Sequence, residues 1–444
     1  MASTDTIAAI ATAAGVGGIG IIRISGPQVP AMAMAIASTL PPPRLAVRSL
    51  FRDNEGRPID DGLILYFPAP ASFTGEHVLE LHAHGGPIVL DLLLQRTLAA
   101  GARLARPGEF SERAFLNGKL DLVQAEAIAD LIASNSAAAA RAAMASLQGE
   151  FSRLLENLGA SILQLRTYLE AAIDFPDEEM DWLIDADIGT RLQALLHRCE
   201  AIHTQAAQGR LLREGASLVI AGPPNVGKSS LLNRLAGEEV AIVTDVAGTT
   251  RDLLRTQILI DGLAVQVIDT AGLRETADIV EREGIRRARA AMTHADRILL
   301  VLEADDPSDG RAHLAGLPEL PVTLVRNKID LTGQEPAWSE SQRVPTIHLS
   351  AQTGTGIELL RAHLKQAFGH GGAEGVFTAR RRHLLALERT QAHLVQAQRQ
   401  LQAGAGELVA EELRLAQQQL GEITGQVTNE DLLSQIFSTF CLGK

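Results

Sequence analysis

The stretch Gly222-Pro-Pro-Asn225-Val226-Gly227-Lys228-Ser229 combines residue types whose joint chemistry is the holding of phosphate. Ser217-Leu-Val-Ile-Ala221 before it reads as a short buried strand, and Ser230-Leu-Leu-Asn-Arg-Leu235 after it as a helix. In that context G-x-x-x-x-G-K-[ST] is a phosphate cradle. Its glycines let the backbone turn tightly, so that successive N–H groups and the helix N-terminus face the anion. Lys228 is placed to reach the β- and γ-phosphates, and the Ser229 hydroxyl to hold Mg²⁺. Three further stretches follow in order. Val265-Gln-Val-Ile-Asp269-Thr270-Ala271-Gly272 is a strand that ends in an acid and a glycine. Pro321-Val-Thr-Leu-Val325 runs into Asn327-Lys328-Ile-Asp330, and His348-Leu-Ser350-Ala351 comes after it.

This ordered set resembles the small GTPases and predicts a module that binds and hydrolyses GTP. In that class the Asp of N-K-x-D, here Asp330, accepts from the ring N–H and exocyclic amine of guanine. Adenine has no matching donor pair and would leave the carboxylate unpaired, which makes such a site selective. Asn327 and Lys328 would brace the base, and Ser350-Ala351 would offer backbone to its oxygen.

The elements that must carry this chemistry divide the 444 residues into several parts. Residues 1–117 alternate short apolar runs with turns. Strands are expected at residues 6–11, 19–24, 62–67 and 77–82, and the Pro41-Pro-Pro43 and Phe67-Pro-Ala-Pro70 stretches are loops. Residues 118–214 change to a long Ala- and Leu-rich helical pattern, interrupted only by the acidic segment 174–181. Residues 215–369 are the α/β nucleotide module. After the Gly-rich linker at 369–375, residues 370–444 are helical again to the terminal Cys441-Leu-Gly-Lys444. The second helical block is short, and helices are stabilised mainly by packing an apolar face. Both blocks are therefore expected to form one domain interrupted by the nucleotide module.

Composition sets outer limits. A formal charge of −13 argues against a protein that coats nucleic acid through bulk positive charge, while leaving room for a local patch such as Arg380-Arg-Arg-His383. Two cysteines, Cys199 and Cys441, give no disulfide framework and point to a reducing cytoplasm. No run approaches the 18 apolar residues of a membrane span. The apolar segment at 7–22 lacks a basic lead-in and is broken by glycines, so no secretory signal is expected there.

Outside the nucleotide module, Arg23 and Glu80 each interrupt an apolar strand. A buried ion pair and a ligand site both satisfy the rule that buried charges need partners. His77, His82 and His84 stand without a carboxylate or cysteine at a metal-binding spacing. The charge-dense run from Arg106 to Asp121 reads as a helix cap and domain joint.

Several of these segments carry a resemblance over essentially the whole chain to the MnmE (TrmE) family of tRNA-modification GTPases. They are Asp5-Thr-Ile-Ala-Ala-Ile-Ala-Thr12, Gly17–Gly26, Arg106–Asp121, the phosphate loop, Ala247-Gly-Thr-Thr-Arg-Asp252 and the Cys-terminated tail. Departures at Ala13-Ala14, Val16, Pro223 and Leu442 touch no residue to which the resemblance carries over a role. The resemblance implies an N-terminal folate-binding-like α+β domain that also makes a homodimer contact. It further implies a discontinuous α-helical bundle and an inserted Ras-like P-loop GTPase domain. The implied reaction joins an aminomethyl-type group to C5 of the wobble uridine of tRNA, together with an FAD protein of the MnmG type. By the same resemblance Arg23, Glu80, Lys119 and Lys444 would contact 5-formyltetrahydrofolate, the one-carbon donor, and Cys441 would take part in the modification chemistry.

Within the GTPase domain the resemblance extends the GTP set over Thr244, Asp245, Val246, Ala247, Gly248, Thr249 and Thr250. Thr250 would join Ser229 on Mg²⁺. Leu273 stands where Ras-type enzymes place the water-orienting Gln, and the resemblance gives the role to Glu281, which matches the position of the family's catalytic glutamate. The charge-stabilising cation would be K⁺, held by Asn225, Thr244, Val246 and Thr249 when two GTPase domains close on each other. Two classes compete: a GTPase switch of ribosome assembly, which has no need of a folate pocket, and a one-carbon-transfer enzyme to which a GTPase was appended.

Overall fold

In the computed structural model the described residues are 5–134, 136–174, 186–236, 255–260, 263–269, 295–307, 319–341, 344–368, 377–426, 433, 436–440 and 443. They fall into two compact units. One holds Met1–Ala133, Ser146–Glu200 and Leu385–Lys444, the other Ser134–Ala145 and Ala201–Leu384.

The first unit begins with β1 (Ile7–Ile10), β2 (Gly17–Ser25), α1 (Val29–Ala37), β3 (Val47–Arg52), β4 (Pro58–Phe67), β5 (Val78–Gly85), α2 (Pro87–Ala99) and β6 (Arg103–Leu104). The six strands form one sheet in the order β3-β4-β5-β2-β1-β6. All neighbours are antiparallel except β1 and β6. Strand side chains alternate between faces. Ile22 and Ile24 of β2 and Leu79 and Leu81 of β5 therefore join the core with Met32 and Ile36 of α1 and Leu90 and Leu93 of α2. Arg23 and Glu80, directly paired in the β2–β5 register, are left on the opposite face. There Ile7, Ala9, Ala105 and Phe110 make a second, smaller core.

The expected strands are all present. The helices α1 and α2, absent from the sequence reading of this region, supply the cover for the sheet. Both start at proline-bearing first turns, where the missing N–H is harmless.

The chain continues through α3 (Glu109–Leu116), α4 (Leu122–Ile132), α5 (Ala137–Leu147), α6 (Glu150–Asp174) and α7 (Ala186–Glu214). Asp121 caps α4 in a reciprocal capping box with Gln124, so the charge-dense run does end in a helix cap. The helical block has more breaks than the sequence reading allowed: α4, α5 and α6 are separate helices, and Gly149 between the last two has φ +82°.

The second unit is built on β7 (Ala216–Ala221), α8 (Lys228–Ala236), β8 (Arg255–Ile260), β9 (Leu263–Asp269), β10 (Arg297–Glu303), β11 (Val322–Asn327), α9 (Ile329–Thr332), β12 (Ala337–Ser341), β13 (Val344–His348) and α10 (Ile357–Ala367). The sheet order is β12-β13-β11-β10-β7-β9-β8, parallel except at the two edge strands. Central strands buried on both faces read as continuous apolar runs. Leu218 and Ile220 pack with Leu231 and Leu235 of α8 and Leu360 and Leu364 of α10. Val219 and Ala221 face the other way, with Ile298, Leu300 and Leu302.

Finally, α11 (Arg381–Gln402) and α12 (Gly406–Thr424) return to the helices, with α12 packed along α6 in the first unit. The mixed α/β and α+β multidomain fold class is as expected. No described helix is long and apolar enough to cross a membrane.

Candidate functional site: a nucleotide cradle and a charged pair on the N-terminal sheet

In open α/β sheets ligands bind outside the carboxyl ends of the strands. The phosphate loop follows β7, Asp269 ends β9, Asn327 ends β11 and Ser350-Ala351 follow β13, so all four stretches meet at one edge of the sheet. Asp269 lies beside Ile220 in the register, one residue before the end of β7.

Asn327, only 2% exposed, ties the stretches together. Its Nδ2 donates to the Val226 carbonyl at 2.7 Å, and its Oδ1 accepts from the Ala351 N–H at 2.9 Å. Gly227 makes this possible. Its φ is +92°, and a Cβ there would stand 2.4 Å from Asn327 Nδ2. The ε-ammonium of Lys228 is held inside the loop by the carbonyls of Gly222 (3.0 Å) and Pro223 (2.6 Å). Ser229, Ser230 and Asn225 are exposed at the start of α8, with Asn225 at φ +64°. Lys328, at φ +70°, pairs with Glu303 at the end of β10. Asp330 is exposed on α9, while Ser350 and Ala351 are buried. His348, at the end of β13, is pushed below the usual imidazole range by burial and by the Arg326 cation, so it adds no charge near this loop at neutral pH.

Loop amides, a lysine at a helix N-terminus and an exposed serine hydroxyl fit a nucleoside triphosphate with its divalent cation. The predicted residues Thr244, Asp245, Val246, Ala247, Gly248, Thr249, Thr250, Thr270, Ala271, Gly272 and Glu281 lie outside the described residues.

In the first unit, Arg23 and Glu80 form an ion pair at 2.9 Å, with side chains 23% and 16% exposed. The second Glu80 oxygen takes His82 Nε2 at 3.1 Å. The guanidinium stands 5.8 Å from the ring centre of Phe73 and 6.0 Å from that of Phe110. Its Nη1 is 3.5 Å from the Gly443 carbonyl. Gly443 fits here because it lacks a side chain: a Cβ would lie 2.4 Å from the Ile10 carbonyl. Lys119 donates to the Pro70 carbonyl at 3.1 Å, on the loop that also carries Phe73. Cys441 and Lys444 lie outside the described residues.

His82, Phe73 and Phe110 are the members that sequence reasoning missed. Only His82 had a readable signal, its two-residue spacing from Glu80 on one strand face. The three histidines have separate partners: His77 meets Tyr66, His82 meets Glu80 and His84 meets Asp60.

The GTP-binding protein TrmE N-terminus family matches residues 6–119, and the MnmE helical domain family matches residues 122–441. The tRNA modification GTPase MnmE of Methylococcus capsulatus is 57% identical over 442 residues, covering 99% of each chain. The protein of the same description from Stutzerimonas stutzeri is 56% identical over 450 residues, again covering 99% of both. With matches of this identity and extent, the chain belongs to the MnmE family of tRNA-modification GTPases, enzymes that hydrolyse GTP.

Proposed function

We propose that this GTPase serves the addition of an aminomethyl or carboxymethylaminomethyl group to C5 of the wobble uridine of tRNA, with tetrahydrofolate as the one-carbon carrier and an MnmG-type FAD protein as partner. The observation that supports it best is the half-buried Arg23–Glu80 pair, whose guanidinium lies beside the exposed Phe73 ring. A carboxylate suits the amine and N–H edge of a pterin, the exposed Phe73 ring suits one of its faces, and Arg23, Lys119 and Lys444 suit the carboxylates of its glutamate tail. A ribosome-assembly switch needs none of these.

Calorimetry with 5-formyltetrahydrofolate is the test. Binding is expected, weakened at least about tenfold by Arg23→Ala or Glu80→Ala, the scale of a lost charge-assisted contact. Absence of binding by the folded wild type would leave the pair as a structural one and favour the switch.

The same reading has the chain working as a cytoplasmic homodimer. Val16, Ile19 and Ile88 are 91%, 67% and 74% exposed. Large apolar side chains left this exposed support burial against a second copy. In the GTPase unit, Ser229 and Thr250 would hold Mg²⁺, and Glu281 would orient the attacking water. Asn225, exposed on the phosphate loop, would hold K⁺ with Thr244, Val246 and Thr249. A cation at developing phosphoryl charge acts as preorganised electrostatic stabilisation. GTP turnover is therefore expected to be faster in KCl than in NaCl at equal ionic strength, with Asn225→Ala removing the difference. Equal wild-type rates in the two salts would refute the potassium assignment.

A further inference from the structure

We propose that Arg234 is a positioning residue for guanine recognition: from the helix behind the phosphate loop it holds the carbonyl side of the loop whose Ala351 amide meets the 6-oxo group of the base. The inference rests on the reading of Ser350-Ala351 given above.

Arg234 sits on the exposed flank of α8, between the buried Leu231 and Leu235. Its Nη2 donates to the Gln352 carbonyl at 2.6 Å and its Nε to the Ala351 carbonyl at 3.3 Å. A planar guanidinium can serve two successive carbonyls at once, which the single ammonium of a lysine cannot do in the same geometry.

The loop's own bonds are short-range. Ser350 N–H donates to the Thr355 carbonyl and Gly354 N–H to the Ser350 carbonyl, both at 2.9 Å. They shape the loop without fixing where it stands relative to the phosphate loop. Among the described residues, two side chains add polar ties there to the apolar packing of Leu349 and Ala351. Asn327 accepts the Ala351 N–H while donating to Val226, and Arg234 takes the carbonyl of the same alanine. To meet a base oxygen, the Ala351 N–H must give up Asn327 Oδ1. The Arg234 contacts involve the carbonyls and persist through that exchange. They hold the donor close to its bound position and lower the ordering cost of binding.

The test compares GTP with 2-aminopurine riboside triphosphate, which lacks the 6-oxo group and also the N1 hydrogen assigned to Asp330, by equilibrium binding to the full-length chain. The wild type should prefer GTP. Arg234→Ala should weaken GTP binding about threefold to tenfold, the scale of an exposed charge-assisted pair of hydrogen bonds. The analogue should be affected less than twofold, and Arg234→Lys should recover part of the loss. Equal weakening of both nucleotides would mean that Arg234 only supports α8, and no weakening of either would mean that the contacts do nothing; each result overturns the assignment. A wild type that binds both nucleotides equally would instead overturn the readings of Ala351 and Asp330, and this one with them.

Discussion

Lys228→Ala is expected to reduce kcat for GTP by about 10²–10³-fold, the cost of deleting one preorganised donor from a site where anionic charge develops. Lys228 is only 9% exposed, and its ammonium lies where the loop carbonyls of Gly222 and Pro223 converge. An ammonium there sits at the N-terminus of α8, where the amides already favour an anion. Alanine removes the one formal charge that the loop itself offers to phosphate. Binding should suffer less than turnover, because the loop amides remain. The measurement is single-turnover hydrolysis at saturating GTP beside a binding titration. A variant within tenfold of wild type would show that the charge neutralising the phosphates comes from elsewhere.

The nucleotide site was legible because its geometry is local. A loop that must turn between β7 and α8 and leave amides facing outward restricts residue types over eight consecutive positions, and Gly227 shows the restriction directly. The Arg23–Glu80 face was half legible. Strand alternation put each charge among apolar neighbours, but Gly443 reaches Arg23 across 420 positions of sequence, and no local pattern encodes such a contact. The helix α2 was missed although Leu90, Leu93 and Thr97 are spaced as one buried face. Arg234 was invisible for a different reason. In sequence it is one more charge on a helix surface, and only the fold puts the carbonyls of a loop more than a hundred residues away under it.

The run from Arg106 to Asp121 shows the same limit, and it carries the largest stability prediction. Sequence marked it as a joint; the structure supplies the partners. Arg113, 5% exposed, pairs with Glu109 at 3.2 Å, Glu76 at 3.0 Å and Asp5 at 2.8 Å. Glu109, with a side chain 3% exposed, is also held by Arg103 and by the Arg106 N–H. Arg113→Met keeps the volume of the stem and deletes the charge. It leaves Glu76 and Glu109 short of a cation in a water-poor site, where breaking a buried ionic network by one partner costs about 3–5 kcal/mol. Calorimetric unfolding of the full-length chain should show the transition of the first unit destabilised on that scale, with the GTPase unit unmoved. A change below about 1 kcal/mol would mean that the network is solvated in use.

Acid should act at the same place. Burial alone would raise the Glu109 carboxyl, but the Arg103 hydrogen bond, the Arg106 N–H and Arg113 outweigh it and hold its pKa below the ordinary value. A depressed folded-state pKa gives stability that is fully present above the unfolded pKa and is lost as pH falls through the folded one. The contribution of Glu109 to the first unit of the wild type should therefore be fully present at neutral pH and fade below about pH 4.5, with Glu109→Gln flattening that part of the dependence.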